Sequence, residues 1–346
     1  MLRRKSIPGS RVKKIIFRGI TLIPLLVILA TVSYFVFFTN LPQILYSQSV
    51  RNLPFDCLEF SSAGYVYKMK PRPCRLKNIE YDVVFTSDAN GFRNGIRAPG
   101  PYDVAVLGDS HAFGYGVADN QTFADLLNST YHYQTINLAI GSYATARELE
   151  AFSEYGKDAK YVVIQYCPND YNENEASLRL SKEEFRNQAE ANWRLFINSY
   201  QQGKSLGFRR PLHDLGFLLR HHGYASKSSW RRDTEQARQM EEEAAKFAQV
   251  FASYRPLLEG KRLIIFEVAA SGMNSPRFES AFAAELSKLG WLSYRLVNSA
   301  ALLNLDDYFW LDDHINADGH KKLAAAISAQ IGDWERQSPV IAPSPR

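Results

Sequence analysis

Ser110 stands in Gly108-Asp109-Ser110-His111, directly after the apolar run Val104-Ala105-Val106-Leu107. A serine hydroxyl becomes a useful nucleophile when a nearby base takes its proton. His314, in Asp312-Asp313-His314-Ile315-Asn316, is the natural base. A carboxylate that accepts from one ring nitrogen fixes the tautomer and supports the imidazolium. Asp312 and Asp313 both qualify for that role. Side chains alternate in extended backbone, so Asp312 shares a side with His314 and Asp313 does not. Asp312 is therefore the expected partner. Two further residues could meet a ligand. Gly141 closes Ile136-Asn137-Leu138-Ala139-Ile140-Gly141, where a glycine lets backbone N–H groups approach a ligand closely. Asn169, in Cys167-Pro168-Asn169-Asp170, can donate from its side-chain amide. Taken singly, each stretch also fits a plain connecting turn. Asp312, Asp313, His314 and His320 also suit a metal, but no other ligand cluster with metal spacing accompanies them. No metal and no other cofactor is expected.

The elements that must hold these residues are legible as alternation. Apolar strand segments fall at 103–107, 134–138, 161–166, 262–268 and 293–297. Helical periodicity falls at about 121–128, 145–155, 276–289 and 317–333. Alternating strands and helices predict an α/β fold with a parallel sheet covered on both faces. Ser110, Gly141 and Asn169 each follow a strand, and open α/β sheets bind ligands at the carboxyl ends of their strands. Asn316 is placed to cap the last helix. Between about 173 and 260 the alternation stops in favour of charged, helical sequence, which reads as an insertion packed beside the sheet.

The four stretches, in this order, resemble the SGNH hydrolases, the GDSL-type esterase superfamily. The matching residues are Gly108-Asp109-Ser110, Gly141, Asn169-Asp170 and His314, and the resemblance covers about residues 81–333. It implies a flavodoxin-like three-layer α/β/α fold. It also implies Ser110 as nucleophile, His314 as general base, and an oxyanion hole of the Ser110 N–H, the Gly141 N–H and the Asn169 side chain. Two positions depart from the family. Tyr166 stands where a glycine is usual, and Leu311 stands where the family's aspartate lies. Asp312 is then the triad acid, as in membrane-linked relatives with an Asp-x-His pattern.

The remaining sequence concerns location. Residues 1–18 carry seven cations and no acid, which leaves −2 of the net +5 on the rest. A near-neutral body gives no reason to expect nucleic acid as a partner. No charged residue occurs from Gly19 to Val50. An apolar run of ~20 residues fits a bilayer, and cations on its N-terminal side place that end in the cytoplasm. A cleaved signal peptide competes, but Phe35-Val36-Phe37-Phe38 lacks a small-residue cleavage pattern. Cys57 and Cys74 are then on the oxidising side and are expected to form a disulfide. Cys167, at the end of an apolar strand, is expected to be buried.

The expected order is a basic tail 1–18, a transmembrane helix 19–40, a linker with a small leading subdomain 41–80, the hydrolase-like domain 81–338 and a flexible end 339–346. By resemblance, the expected activity is that of a membrane-anchored serine esterase or O-acyltransferase. It would face the periplasm and act on acyl, notably acetyl, esters of cell-surface glycans. A lipid esterase or thioesterase is one alternative. A non-catalytic glycan-binding scaffold is another, against which the intact set of Ser110, His314 and a nearby Asp argues.

Overall fold

The computed structural model describes residues 22–34, 55–77, 80–95, 100–206, 234–291, 293–310 and 312–337. The basic tail 1–18, the C-terminal 339–346 and both ends of the expected span 19–40 lie outside them. Residues 22–34 are helical. Among the described residues no helix is long and apolar enough to cross a membrane.

Five strands form the central sheet: β5 (Val104–Leu107), β6 (Thr135–Asn137), β7 (Tyr161–Tyr166), β8 (Arg262–Glu267) and β9 (Tyr294–Leu296). Their spatial order is β6-β5-β7-β8-β9, and every pairing is parallel. Both faces of such a sheet are covered, so its strands read as unbroken apolar runs rather than alternations. Val104 to Leu107 are accordingly all fully buried. The order 2-1-3-4-5 puts a topological switch between β5 and β7, the crevice where doubly wound sheets bind ligands. The Ser110 loop leaves β5 and the Asn169 loop leaves β7, so both face that crevice from the sheet.

Helices α1 (Ser110–Phe113), α2 (Phe123–Ser129), α3 (Thr145–Tyr155), α4 (Tyr171–Arg179), α5 (Lys182–Leu206), α6 (Thr234–Ser253), α7 (Phe278–Lys288) and α8 (Ala317–Gln337) follow in chain order. Strand pairing shows how they divide between the faces. Gln165 pairs with Phe266 and Tyr166 with Glu267, and neighbours in one register share a face. Phe266 meets Phe123 of α2 at 6.0 Å between ring centroids. On the other face Tyr166 stacks on Phe278 of α7 at 5.4 Å and meets Phe247 of α6 at 4.6 Å. Tyr166 thus serves the core on the side away from the Ser110 loop.

Helix α6 revises the picture of the insertion. Met240, Ala244, Phe247, Ala248 and Phe251 are buried at a spacing that makes one helical face. Phe247 stacks on Phe282 of α7 at 4.5 Å. The helix therefore lies on the sheet between β7 and β8 as a crossover helix, and Glu241 and Glu242 point to solvent. Charge on the solvent face masked that role in the sequence.

A small subdomain of two hairpins precedes the sheet. β1 (Leu58–Phe60) pairs with β2 (Tyr67–Met69), and β3 (Pro73–Lys77) pairs with β4 (Asp82–Thr86), both antiparallel. Cys57 and Cys74 are joined by a disulfide that ties one hairpin to the other. Cys167 is a buried free thiol. The bridge closes a 17-residue separation, a length for which loop-closure entropy gives about 3 kcal/mol. Alkylation of denatured, unreduced protein should label Cys167 alone. Three labelled cysteines on mass spectrometry would show that the bridge does not form.

Candidate active site

Gly108 ends β5 with a positive φ of 151°. A Cβ there would meet Ala112 Cβ and Gln165 Oε1, each at 2.6 Å. Only glycine lets the chain turn this tightly above the sheet. Gln165 Oε1 accepts from the N–H groups of Asp109 (3.2 Å) and Ala112 (3.3 Å) and holds the turn from β7. The sequence reads Ser110 as lying in a turn; it opens the one-turn helix α1 instead. Asp109 caps that helix, its Oδ1 accepting from the His111 N–H at 2.9 Å.

The last loop delivers His314 to the same place. His314 Nε2 lies 2.6 Å from Ser110 Oγ. His314 Nδ1 lies 2.5 Å from Asp312 Oδ1. Ser110 is half-buried, while Asp312 and His314 are buried. Asp313 also reaches Nδ1, at 3.1 Å. The alternation argument pointed Asp313 away, but it assumed extended backbone, and the chain bends through 312–314. Both carboxylates therefore converge on one ring nitrogen. Leu311, where the resemblance implies an aspartate, lies outside the described residues. Beyond the bend, Asn316 caps α8 by accepting from Asp318 N at 2.9 Å and Gly319 N at 3.2 Å.

Two residues that the sequence did not single out hold this loop. The Glu80 carboxylate accepts from the Trp310 N–H at 2.8 Å and the Asp312 N–H at 2.7 Å. Tyr81 donates its hydroxyl to Asp312 Oδ2 at 2.8 Å. Asp312 is thus fixed on both oxygens. Tyr115 stacks on the His314 ring at 4.6 Å, and the His111 ring lies 4.7 Å away. No local motif marks Glu80 or Tyr81, because their partners stand on the far side of the chain.

The two expected oxyanion donors outside the Ser110 loop arrive from neighbouring loops. Asn169 donates Nδ2–H to Asp109 Oδ2 at 3.2 Å, which orients its amide beside the Ser110 loop. One N–H of that amide is used, and a primary amide has two. Gly141 and Asn169 line one cleft. The left-handed residue in that loop is Ser142, with φ 64°, rather than Gly141. Tyr67 donates its hydroxyl to the Gly141 carbonyl at 2.8 Å, and Arg147 donates to the Ser142 carbonyl. These bonds fix the loop from outside.

Asp312, Asp313 and His314 bring potential metal-ligand atoms within 4.8 Å of one another. The imidazole has only two nitrogens, however, and both are engaged, with Ser110 and Asp312. The geometry fits a proton path better than a metal. His320 is elsewhere: its Nδ1 accepts from Phe123 N at 3.2 Å, and burial holds its pKa well below the usual histidine value. For His314, burial pulls the pKa down, but Asp312 and Asp313 together outweigh it and raise the value to about 9.

No family model and no curated protein matches the chain. Solved structures with a similar backbone course include a psychrotrophic esterase from Pseudoalteromonas sp., 12% identical, covering 67% of this chain and 98% of that one, with a TM-score of 0.37. A family two carbohydrate esterase from Clostridium thermocellum, in complex with cellohexaose, is 11% identical over 70% and 67%, with a TM-score of 0.41. An acetylxylan esterase from Geobacillus stearothermophilus is 15% identical over 67% and 94%, with a TM-score of 0.36. Likenesses at this level bear on neither the substrate nor the activity of this chain.

A base must be neutral to take a proton, so a His314 pKa of about 9 predicts a rising limb. Log kcat/KM on a neutral aryl ester should climb about one unit per pH unit below that value and level off above it. Asp313→Asn removes one of the two raising charges and should move the limb to lower pH with a small change in the plateau. Asp312→Asn should keep the shape and spoil the tautomer, an exchange that costs ~10⁴ in kcat in the serine-protease example. Profiles of both variants on one ester distinguish the roles; a crippled Asp313→Asn beside an active Asp312→Asn reverses them.

Proposed function

We propose that this chain is a membrane-anchored, extracytoplasmic serine esterase or O-acyltransferase of SGNH type, acting on acyl esters, notably acetyl esters, of cell-surface glycans. The observation that carries the catalytic part is the hydrogen-bonded line from Ser110 Oγ through the His314 ring to Asp312, at 2.6 and 2.5 Å. Ser110 Oγ attacks the ester carbonyl while His314 Nε2 takes its proton. Negative charge moves to the carbonyl oxygen, where the Asn169 amide and the N–H groups of Ser110 and Gly141 receive it. The tetrahedral adduct collapses, the C–O bond to the alcohol breaks, and His314 returns the proton to the departing oxygen. The acyl group is left on Ser110. Water or a sugar hydroxyl then attacks it by the same steps, giving hydrolysis or transfer.

Anchoring rests on the N-terminal segment. In helix 22–34, Leu22, Ile23, Leu25, Leu26, Val27 and Ile28 are each more than half exposed. A helix that is apolar all round belongs in a core or a membrane, and seven cations precede it. The Cys57–Cys74 bridge suits an oxidising compartment.

Ser110→Ala should lose on the order of 10⁶ in kcat on an aryl acetate, as nucleophile loss does in subtilisin, while the circular dichroism spectrum stays the same. Wild-type activity in this variant refutes the assignment of Ser110. For the topology, a reporter that matures only in the cytoplasm should stay dark when fused after Arg346. A bright fusion would place the body on the other side of the membrane.

A further inference from the structure

A cleft of about 310 Å³ opens beside Asn169, and the chemistry above leaves most of it unused. Its walls come from three separate parts of the chain. Tyr67 is on β2 of the small subdomain, Tyr143 and Arg147 follow β6, and Asn192 and Trp193 are on α5. The Tyr67 and Trp193 rings stack at 4.5 Å and 17°. Tyr143 meets Tyr67 edge-on at 5.3 Å. Arg147 lies over both tyrosine rings, at 5.2 and 5.0 Å. Its guanidinium is bidentate on Glu173, both bonds at 2.6 Å.

We propose that this cleft is a subsite for an uncharged sugar ring of the substrate, with Trp193 as its aromatic wall and Asn192 as a hydroxyl-binding group. The inference rests on the reading of Ser110 as nucleophile of a glycan esterase and narrows that substrate to one with an uncharged ring at this position. Aromatic faces carry negative quadrupole potential, which suits the polarised C–H face of a pyranose. The planar amide of Asn192 matches the adjacent hydroxyls of a sugar. Charge separates the alternatives. Glu173 balances Arg147 on both oxygens, so among the described residues the cleft offers no unmatched cation to a uronate or a phosphate. An acyl chain would bury an amide and an ion pair against methylene groups and leave polar groups unpaired, which is unfavourable. Sugar hydroxyls would satisfy them. The volume is at the small end of the ~300–1,000 Å³ range of ligand pockets, and an acetyl group would leave it nearly empty. Position agrees as well. Asn169 and Gly141 belong both to the cleft and to the expected oxyanion donors, so a ring seated here carries its ester toward Ser110.

Binding can be read without turnover. The Ser110→Ala full chain in detergent would be titrated by saturation-transfer NMR with neutral xylo-, manno-, gluco- and galacto-hexaoses, a hexauronate, and octanoate. At least one neutral hexasaccharide should bind. Trp193→Ala and Asn192→Ala, each added to Ser110→Ala, should weaken that binding at least fivefold, and Trp193→Phe should keep it within twofold. Asn192 is exposed, so its variant tests the site even if Trp193→Ala disturbs the fold. Absence of binding by every neutral hexasaccharide, or undiminished binding in Asn192→Ala, overturns the proposal. So does preference for the hexauronate or for octanoate. Failure of Ser110 as nucleophile would appear separately, in the aryl acetate assay, and would leave this measurement standing.

Discussion

The contact between His314 Nε2 and Ser110 Oγ, 2.6 Å long, joins loops more than half the chain apart in sequence. No local propensity can make that bond. It requires β5 to stop at one height, the last loop to arrive from beyond β9, and α8 to begin on time. Each requirement has its own device. Gly108 permits the turn that Ala112 and Gln165 would deny to any Cβ. Asn316 starts α8 two residues past the histidine and also donates to the Asp306 and Tyr308 carbonyls, so the loop before the helix is tied to its cap.

The hairpin subdomain enters the same account. Glu80 and Tyr81 lead into β4, which pairs with β3, and β3 carries Cys74 of the disulfide. Tyr67, on the first hairpin, bonds the Gly141 carbonyl. One subdomain therefore touches both Asp312 and the loop of an expected oxyanion donor. The parallel sheet alone would leave these two loops, from opposite sides of the switch point, to find their places independently. A disulfide-bonded body gripping both removes that freedom, and preorganised donors cost no reorganisation when charge develops.

What could be read from the sequence follows from this division. Strands β5, β7 and β8 were legible because burial on both faces writes itself as apolar runs, whereas the edge strands β6 (Thr135-Ile136-Asn137) and β9 (half-buried Tyr294-Arg295-Leu296) were placed mainly by the alternation with helices. Ser110, Gly141, Asn169 and His314 were legible because each ends a strand or precedes a helix. The preference for Asp312 over Asp313, with Asp313 left open, was argued from regular alternation, and a bend defeats such arguments: both carboxylates meet the ring. Glu80, Tyr81 and Trp193 gave no signal, since each acts across a distance that only tertiary packing closes. Arg147 and Tyr67 were hidden in the same way, inside a helix and a short strand whose patterns reported only local structure.

The buried acids near the proposed oxyanion donors raise a question of charge. Asp109, Glu148 and Asp170 are all buried close to the Asn169 loop, and a carboxylate beside a developing oxyanion opposes it by ~4 kcal/mol at 4 Å and an effective dielectric of 20. Burial raises the pKa values of Glu148 and Asp170 well above the usual carboxylate range, and their proximity to each other and to Asp109 raises them further. The shift favours their neutral forms, which present no charge to the reacting centre. That state weakens the fold as pH rises. Below an unfolded value of 4.5, Glu148 is protonated folded or unfolded; above it, only the unfolded chain sheds the proton and gains. His314 has the same sign. Its ion pairing contributes in full below 6.5 and is lost as pH passes about 9. The step that frees the imidazole to act as a base is the step that releases its hold on Asp312 and Asp313. Across that window, reactivity is gained at the expense of stability.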